Sequence, residues 1–143
     1  MRALLDVNAL IALLDEEHVH HDAILEWANR AEVLPCGFAT CAITQMGCIR
    51  VMCGKGYSKP LDPHEIAGML ERLTRSGHRY LEVPAPCNGP IRWKATTSAQ
   101  STDATLLATA VSHSARLVTF DTGISLKCVG GARREHLVVL GRN

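Results

Sequence analysis

Three of the fourteen acidic residues occupy places where a solvated carboxylate has little reason to be. Asp6 ends the short apolar run Ala3 to Leu5, and Asp121 ends the strand-like run Arg116 to Phe120. Asp103 sits in the first turn of an otherwise apolar helical stretch. By contrast, Asp15, Glu16 and Glu17 follow a helix, and Glu26, Glu65 and Glu71 fall on helix surfaces. Taken singly, each of the three has an ordinary explanation. An acid at a helix start caps free N–H groups and complements the macrodipole, and aspartate favours turns and strand ends. Taken together they imply chemistry. Neighbouring carboxylates repel and raise one another's pKa unless a cation neutralises them. A small set of hard oxygen donors suits Mg²⁺ or Mn²⁺, which keep waters and accept phosphate oxygens. Such an ion lowers the pKa of water and stabilises negative charge developing at phosphorus.

The elements that must position these acids alternate along the chain. Ala3 to Leu5 reads as a buried strand, Asn8 to Leu14 as a compact apolar helix and Asp22 to Arg30 as an amphipathic helix. Val33 to Ala39 reads as a second strand, interrupted by Pro35 and Gly37. Thr40 then caps a helix carrying Ile43, Met46, Ile49 and Met52. Gly54 to Pro60 is a loop. Asp62-Pro63 opens a helix that runs to about Ser76 and stops at Gly77. Tyr80 to Val83 is a short strand, and Pro84 to Pro90 a loop. The stretch to Gln100 carries no clear pattern. Ser101-Thr102-Asp103 starts a helix continuing from Ala104 to Ser114. Arg116 to Phe120 and Leu137 to Leu140 are the last two strands. Strands separated by helices predict an α/β fold, a mainly parallel sheet with helices on both faces. Sites in such folds lie outside the carboxyl ends of the strands, the edge where Asp6 and Asp121 end theirs.

Composition narrows the class. With 143 residues, 47% of them hydrophobic, the chain has the size and apolar content of one self-sufficient domain, 1–143. No apolar run reaches the ~18 residues of a membrane span. The opening segment meets Asp6 too early for a signal peptide, so the expected compartment is the cytoplasm. Six cysteines form no C-x-x-C pair and read as small hydrophobes in a reducing environment. A net charge of +1 says nothing about nucleic acid, so any such partner must be argued from a local site.

Three segments carry a family resemblance. Leu5-Asp6-Val7-Asn8-Ala9-Leu10-Ile11 resembles the opening motif of PIN domains, Thr102-Asp103-Ala104-Thr105-Leu106 their third acidic motif, and Thr119-Phe120-Asp121-Thr122-Gly123 their fourth. They stand in the family's order and span nearly the whole chain, in the style of VapC toxins. The resemblance implies a PIN-like three-layer sandwich and a metal-dependent endoribonuclease. In that reading Asp6, Asp103 and Asp121 hold Mg²⁺ or Mn²⁺, and Asn8 and Thr119 support the cleft. It also implies a cognate antitoxin that inhibits the enzyme, and a homodimer, with the apolar helices Ile11 to Leu14 and Ile24 to Ala28 as the docking surface.

The second acidic motif departs from the family. Thr40-Cys41-Ala42-Ile43-Thr44-Gln45 places Gln45 where the family carries a glutamate, so one charge and one ligating oxygen are lost. The chain is then a weakened enzyme, an enzyme with a substitute acid elsewhere, or a form silenced by substitution. Arg50, Lys55 and Lys59 cluster around the Gly54–Pro60 loop and are the expected RNA contacts, with Arg92 and Lys94 as further cations. His18, His20 and His21 lack a metal-ligand spacing and read as a polar loop, with His18 or His21 able to line the cleft.

Two other enzyme classes begin similarly. A haloacid-dehalogenase-like phosphatase requires a second aspartate where Asn8 stands, and a receiver domain requires paired acids near its start; both are absent. The stronger rival is a catalytically silent PIN-like module that binds RNA or an antitoxin.

Overall fold

The computed structural model describes residues 1–141; the last two residues of the expected 1–143 domain lie outside the described residues. Five strands form one sheet: β1 (Ala3–Leu5), β2 (Phe38–Thr40), β3 (His78–Tyr80), β4 (Arg116–Thr119) and β5 (Leu137–Val139). The order across it is β3-β2-β1-β4-β5, and every pairing is parallel. The α/β, mainly parallel expectation therefore holds.

Side chains along β1 alternate between two cores, as the pleat requires. Ala3 and Leu5 join Val118 against helices α1 (Val7–Leu14), α2 (His21–Ala28), α3 (Ala42–Met52) and α4 (Pro63–Leu73). Leu4 joins Ala39 and Leu117 against α5 (Ser101–Ser112) on the other face. Strands buried on both sides explain why β1 is apolar throughout and β4 carries Leu117 and Val118 side by side. Removing a leucine such as Leu5 from water contributes roughly 1.5–3 kcal/mol. Helices thus cover both faces, completing the three layers.

Several boundaries differ from the sequence reading; α2 spans His21–Ala28 and α4 ends at Leu73, short of the expected Ser76. Leu34–Cys36 forms a 3₁₀ turn, and β2 starts only at Phe38. Gly37 between them has φ +66°, and a Cβ there would lie 2.4 Å from the carbonyl oxygen of Gly77, so only glycine fits this close approach. Thr40 ends β2 and Cys41 is the residue that caps α3, where the Cys41 amide donates to Thr44 Oγ1 at 2.9 Å. The edge strand β3 spans His78–Tyr80, earlier than the expected Tyr80 to Val83. The unpatterned stretch before Gln100 holds two 3₁₀ turns, Trp93–Ala95 and Ser98–Gln100, the second leading directly into α5.

All six cysteines are free; Cys41, Cys48 and Cys128 are buried, Cys87 is exposed, and Cys36 and Cys53 are half-buried. The hydrophobe reading fits the first three and fails for Cys87. Ile11, Ala12, Ile24 and Trp27, expected on a docking surface, are instead buried in the core. No helix among the described residues is long and apolar enough to cross a membrane.

Candidate active site

Parallel pairing of the central strands β1 and β4 sets Leu5 opposite Val118, so Asp6 and Thr119 leave the sheet at the same edge. Asp6 is buried and starts α1, its Oδ1 accepting from the Ala9 amide at 2.6 Å. Its Oδ2 accepts a hydrogen bond from Thr119 Oγ1, and that hydroxyl accepts in turn from the Asp121 amide at 2.9 Å. Thr119, fully buried, therefore fastens two of the acids to one another. Asp121 is exposed, and its Oδ1 accepts from the Gly123 amide at 2.7 Å, which fixes the turn after β4. Asp6 and Asp121 thus carry the capping and turn duties expected of lone aspartates, and each keeps free lone pairs.

Asp103 projects from the first turn of α5. No hydrogen bond to its carboxylate is found among the described residues, so it does not cap its helix. Electrostatics tie the three together. Burial pushes the Asp6 carboxyl up, the hydrogen bonds from Thr119 and Ala9 pull it partly back, and the charge of Asp121 raises it again. Asp103 is raised by burial and then by Asp121 and Asp6. Among the described residues, no lysine or arginine contributes to either shift.

That imbalance tests whether a cation belongs here. Repulsion among carboxylates with no cationic side chain to offset it is what a bound cation relieves. Among the described residues, no three histidine, cysteine, aspartate or glutamate side chains converge tightly enough to ligate one ion directly. Mg²⁺ needs fewer: it dehydrates reluctantly and takes one or two carboxylates with several waters. The donor set fits an ion held in that way.

The remaining expected residues sit further out. Asn8, at the start of α1, lines a cleft of ≈ 420 Å³ with His18, Val19, His20, Phe120 and Asp121. Of the two histidines named for the cleft, His18 lines it, while His21 Nδ1 meets the Ala12 carbonyl at 2.7 Å. Sequence reasoning missed His20 and Phe120; the only signal was an aromatic residue directly before Asp121. Gln45 donates through Nε2 to Thr40 Oγ1 at 2.8 Å, and Thr40 meets His78 Nε2 at 2.8 Å. Its amide is thus engaged at the β2–β3 end of the sheet and not with the three acids. Arg50 and Lys55 are exposed, whereas Lys59 forms an ion pair with Glu17 at 2.6 Å. Beside it Tyr57 donates to Asp15 Oδ2, which pins the Gly54–Pro60 loop to the α1–α2 connection.

An all-parallel five-strand sheet with acids at its carboxyl edge defines a class, and the sequence profile of the PIN domain family matches residues 3–129. The chain belongs to the PIN domain family and, within it, to the VapC group. Ribonuclease VapC44 of Mycobacterium tuberculosis H37Rv is 42% identical over 148 aligned residues, covering 98% of this chain and all of that protein. The solved structure of VapBC2 from Rickettsia felis, bound to a DNA fragment from the promoter, superposes with a TM-score of 0.62 at 17% identity. That match covers 99% of this chain and 100% of the other. VapC20 of M. tuberculosis, a sarcin–ricin-loop-cleaving toxin, gives 0.60 at 14% identity over 92% of this chain and 98% of its own. At such identities these two structures speak for the fold.

Proposed function

We propose that this chain is a metal-dependent endoribonuclease toxin that hydrolyses RNA phosphodiester bonds and is held inactive by a cognate antitoxin. One observation carries the reading. In a chain 42% identical to a VapC ribonuclease, three carboxylates that raise one another's pKa lie along the sheet edge, with no cation among the described side chains that shift them. Asp6, Asp103 and Asp121 would hold Mg²⁺ or Mn²⁺. When bound, that ion would place positive charge against the phosphate and lower the pKa of nearby water. The hydrogen bond from Thr119 favours the ionised form of Asp6 and fixes its orientation at the edge. The turn at Asp121 engages one of its oxygens and leaves the other without a hydrogen bond among the described residues, and Asp103 contributes charge from α5. Arg50, Lys55 and Lys59 would track the RNA backbone, Lys59 after leaving Glu17. The working form in this reading is a cytoplasmic homodimer.

Gln45 lowers the charge of the site by one relative to the family glutamate, which loosens its hold on a divalent cation. Its engagement with Thr40 favours a second reading, a silent module that binds RNA or the antitoxin without cutting. Cleavage of a mixed RNA pool with Mn²⁺ separates them, run on this chain, Gln45→Glu and Asp6→Asn. Cutting by this chain, gain in Gln45→Glu and loss in Asp6→Asn support the enzyme. Cutting by Gln45→Glu alone makes this chain a disabled member. No cutting by any folded variant supports the module.

A further inference from the structure

The cleft beside Asp121 is not accounted for by the acids. Its walls are aromatic: His20 stacks on Phe120 with ring centroids 4.2 Å apart and planes 14° from parallel, and His18 leans on His20 at 5.7 Å and 48°. The His20 amide donates to His18 Nδ1 at 3.1 Å, so that nitrogen is an acceptor and Nε2 is left as the donor of the His18 ring. Val19, 85% exposed, forms an apolar lip, and Asn8 adds an amide with donors and an acceptor. No lysine or arginine lines this cleft among the described residues, and exposed Asp121 is part of its lining.

These features select a ligand chemistry. With no lysine or arginine among its described lining residues the cleft itself has nothing to hold a phosphate, whereas an aromatic stack beside a polar amide suits a neutral ring with hydrogen-bonding edges. At ≈ 420 Å³ the cleft lies in the size range of small-ligand sites. Bases are free to enter only where they are unstacked and unpaired, and aromatic side chains are what such bases stack on in RNA-binding proteins. We propose that the His18–His20–Phe120 cleft seats one unpaired nucleobase of the RNA strand next to the phosphate that is cut, with Asn8 reading the base edge. The inference rests on the ribonuclease reading and adds to it the residues that would seat one base beside the cut.

The test measures affinity of an Asp103→Asn chain, which keeps RNA intact, for a short fluorescein-labelled single-stranded RNA in Mn²⁺. Phe120→Leu or His20→Ala on that background is expected to weaken binding about tenfold, a stacked base's share. Phe120→Tyr is expected to restore it, and affinity for the same sequence as a duplex to stay unchanged. An RNA carrying a fluorescent purine analogue should be quenched by the parent and not by Phe120→Leu. Equal affinity of parent and Phe120→Leu, loss that Phe120→Tyr fails to restore, or no measurable binding by the parent each overturns the proposal. Mn²⁺-dependent cleavage by the unsubstituted chain is scored separately. Cleavage with no effect of the cleft substitutions removes the nucleobase site alone, and absence of both cleavage and binding removes the ribonuclease reading with it.

Discussion

Replacing Thr119 by valine removes a single hydroxyl from the point where two acids are joined. Thr119 is fully buried and valine has nearly its shape, so no cavity opens and the polar loss stands alone. Two hydrogen bonds disappear. The one donated to Asp6 stabilises its ionised form, and hydrogen bonds to charged groups contribute roughly 1.5–3 kcal/mol. Without that bond the Asp6 carboxyl should rise further above its already raised value. The other bond, from the Asp121 amide, belongs to an exposed residue and is largely replaced by water. The stability lost should therefore depend on pH: small where Asp6 is protonated, and growing to about 1.5–3 kcal/mol once it is ionised. Urea unfolding of both proteins in EDTA across acid to neutral pH reads this directly. A loss of equal size at every pH would refute the idea that Thr119 acts on the charge of Asp6.

Asp103 is raised above 3.8 in the folded chain, so ionising it costs stability as pH rises from there through the raised value. In EDTA at neutral pH, Asp103→Asn should melt higher than the parent, while Mn²⁺ at a hundred times its Kd should add about 2.7 kcal/mol to the parent and less to the variant. Calorimetry would see that as roughly 5–10 °C; an equal Mn²⁺ response in both would count against the site. A Cβ at Gly47 would lie 2.5 Å from Val7 Cγ2, so Gly47→Ala should lose about 1 kcal/mol net of its helix-propensity gain and shift the start of α1 that carries Asp6. Neutral or improved stability on denaturation would contradict that packing. Lys55→Ala should flatten the log-affinity against log-salt slope for single-stranded RNA by about 0.7, and Lys59→Ala by less because Glu17 already holds it; equal slopes for the two would mean the ion pair does not compete.

Legibility followed burial. β1, β4 and the start of α5 were readable because strands buried on both faces are mostly apolar and a charge at their ends stands out. The edge strand β3 was placed late because His78, Arg79 and Tyr80 face water on at least one side and carry no apolar signature. Val33–Cys36 has the composition of a strand, but Pro35 fixes a helical turn and Gly37 at positive φ resets the direction before Phe38. The strand-end positions of Asp6 and Asp121 can be read from the sequence alone, whereas the His18–His20–Phe120 cleft cannot. It joins the α1–α2 connection to the end of β4, a juxtaposition visible only once the sheet closes. The partner of Gln45 was equally hidden, because motif alignment assigns a place in the chain and not the direction of an amide.

The hydrogen bond between Asp6 and Thr119 spans 113 positions of the chain. During synthesis the first acid emerges early, yet the strand that completes its edge comes in the last fifth or so of translation, and domains fold as their segments leave the ribosome. A ribosome carrying most of this chain would therefore carry no assembled acidic edge. The order of the strands makes the acidic edge a property of a chain that has reached β4, so a product ending before Arg116 lacks it.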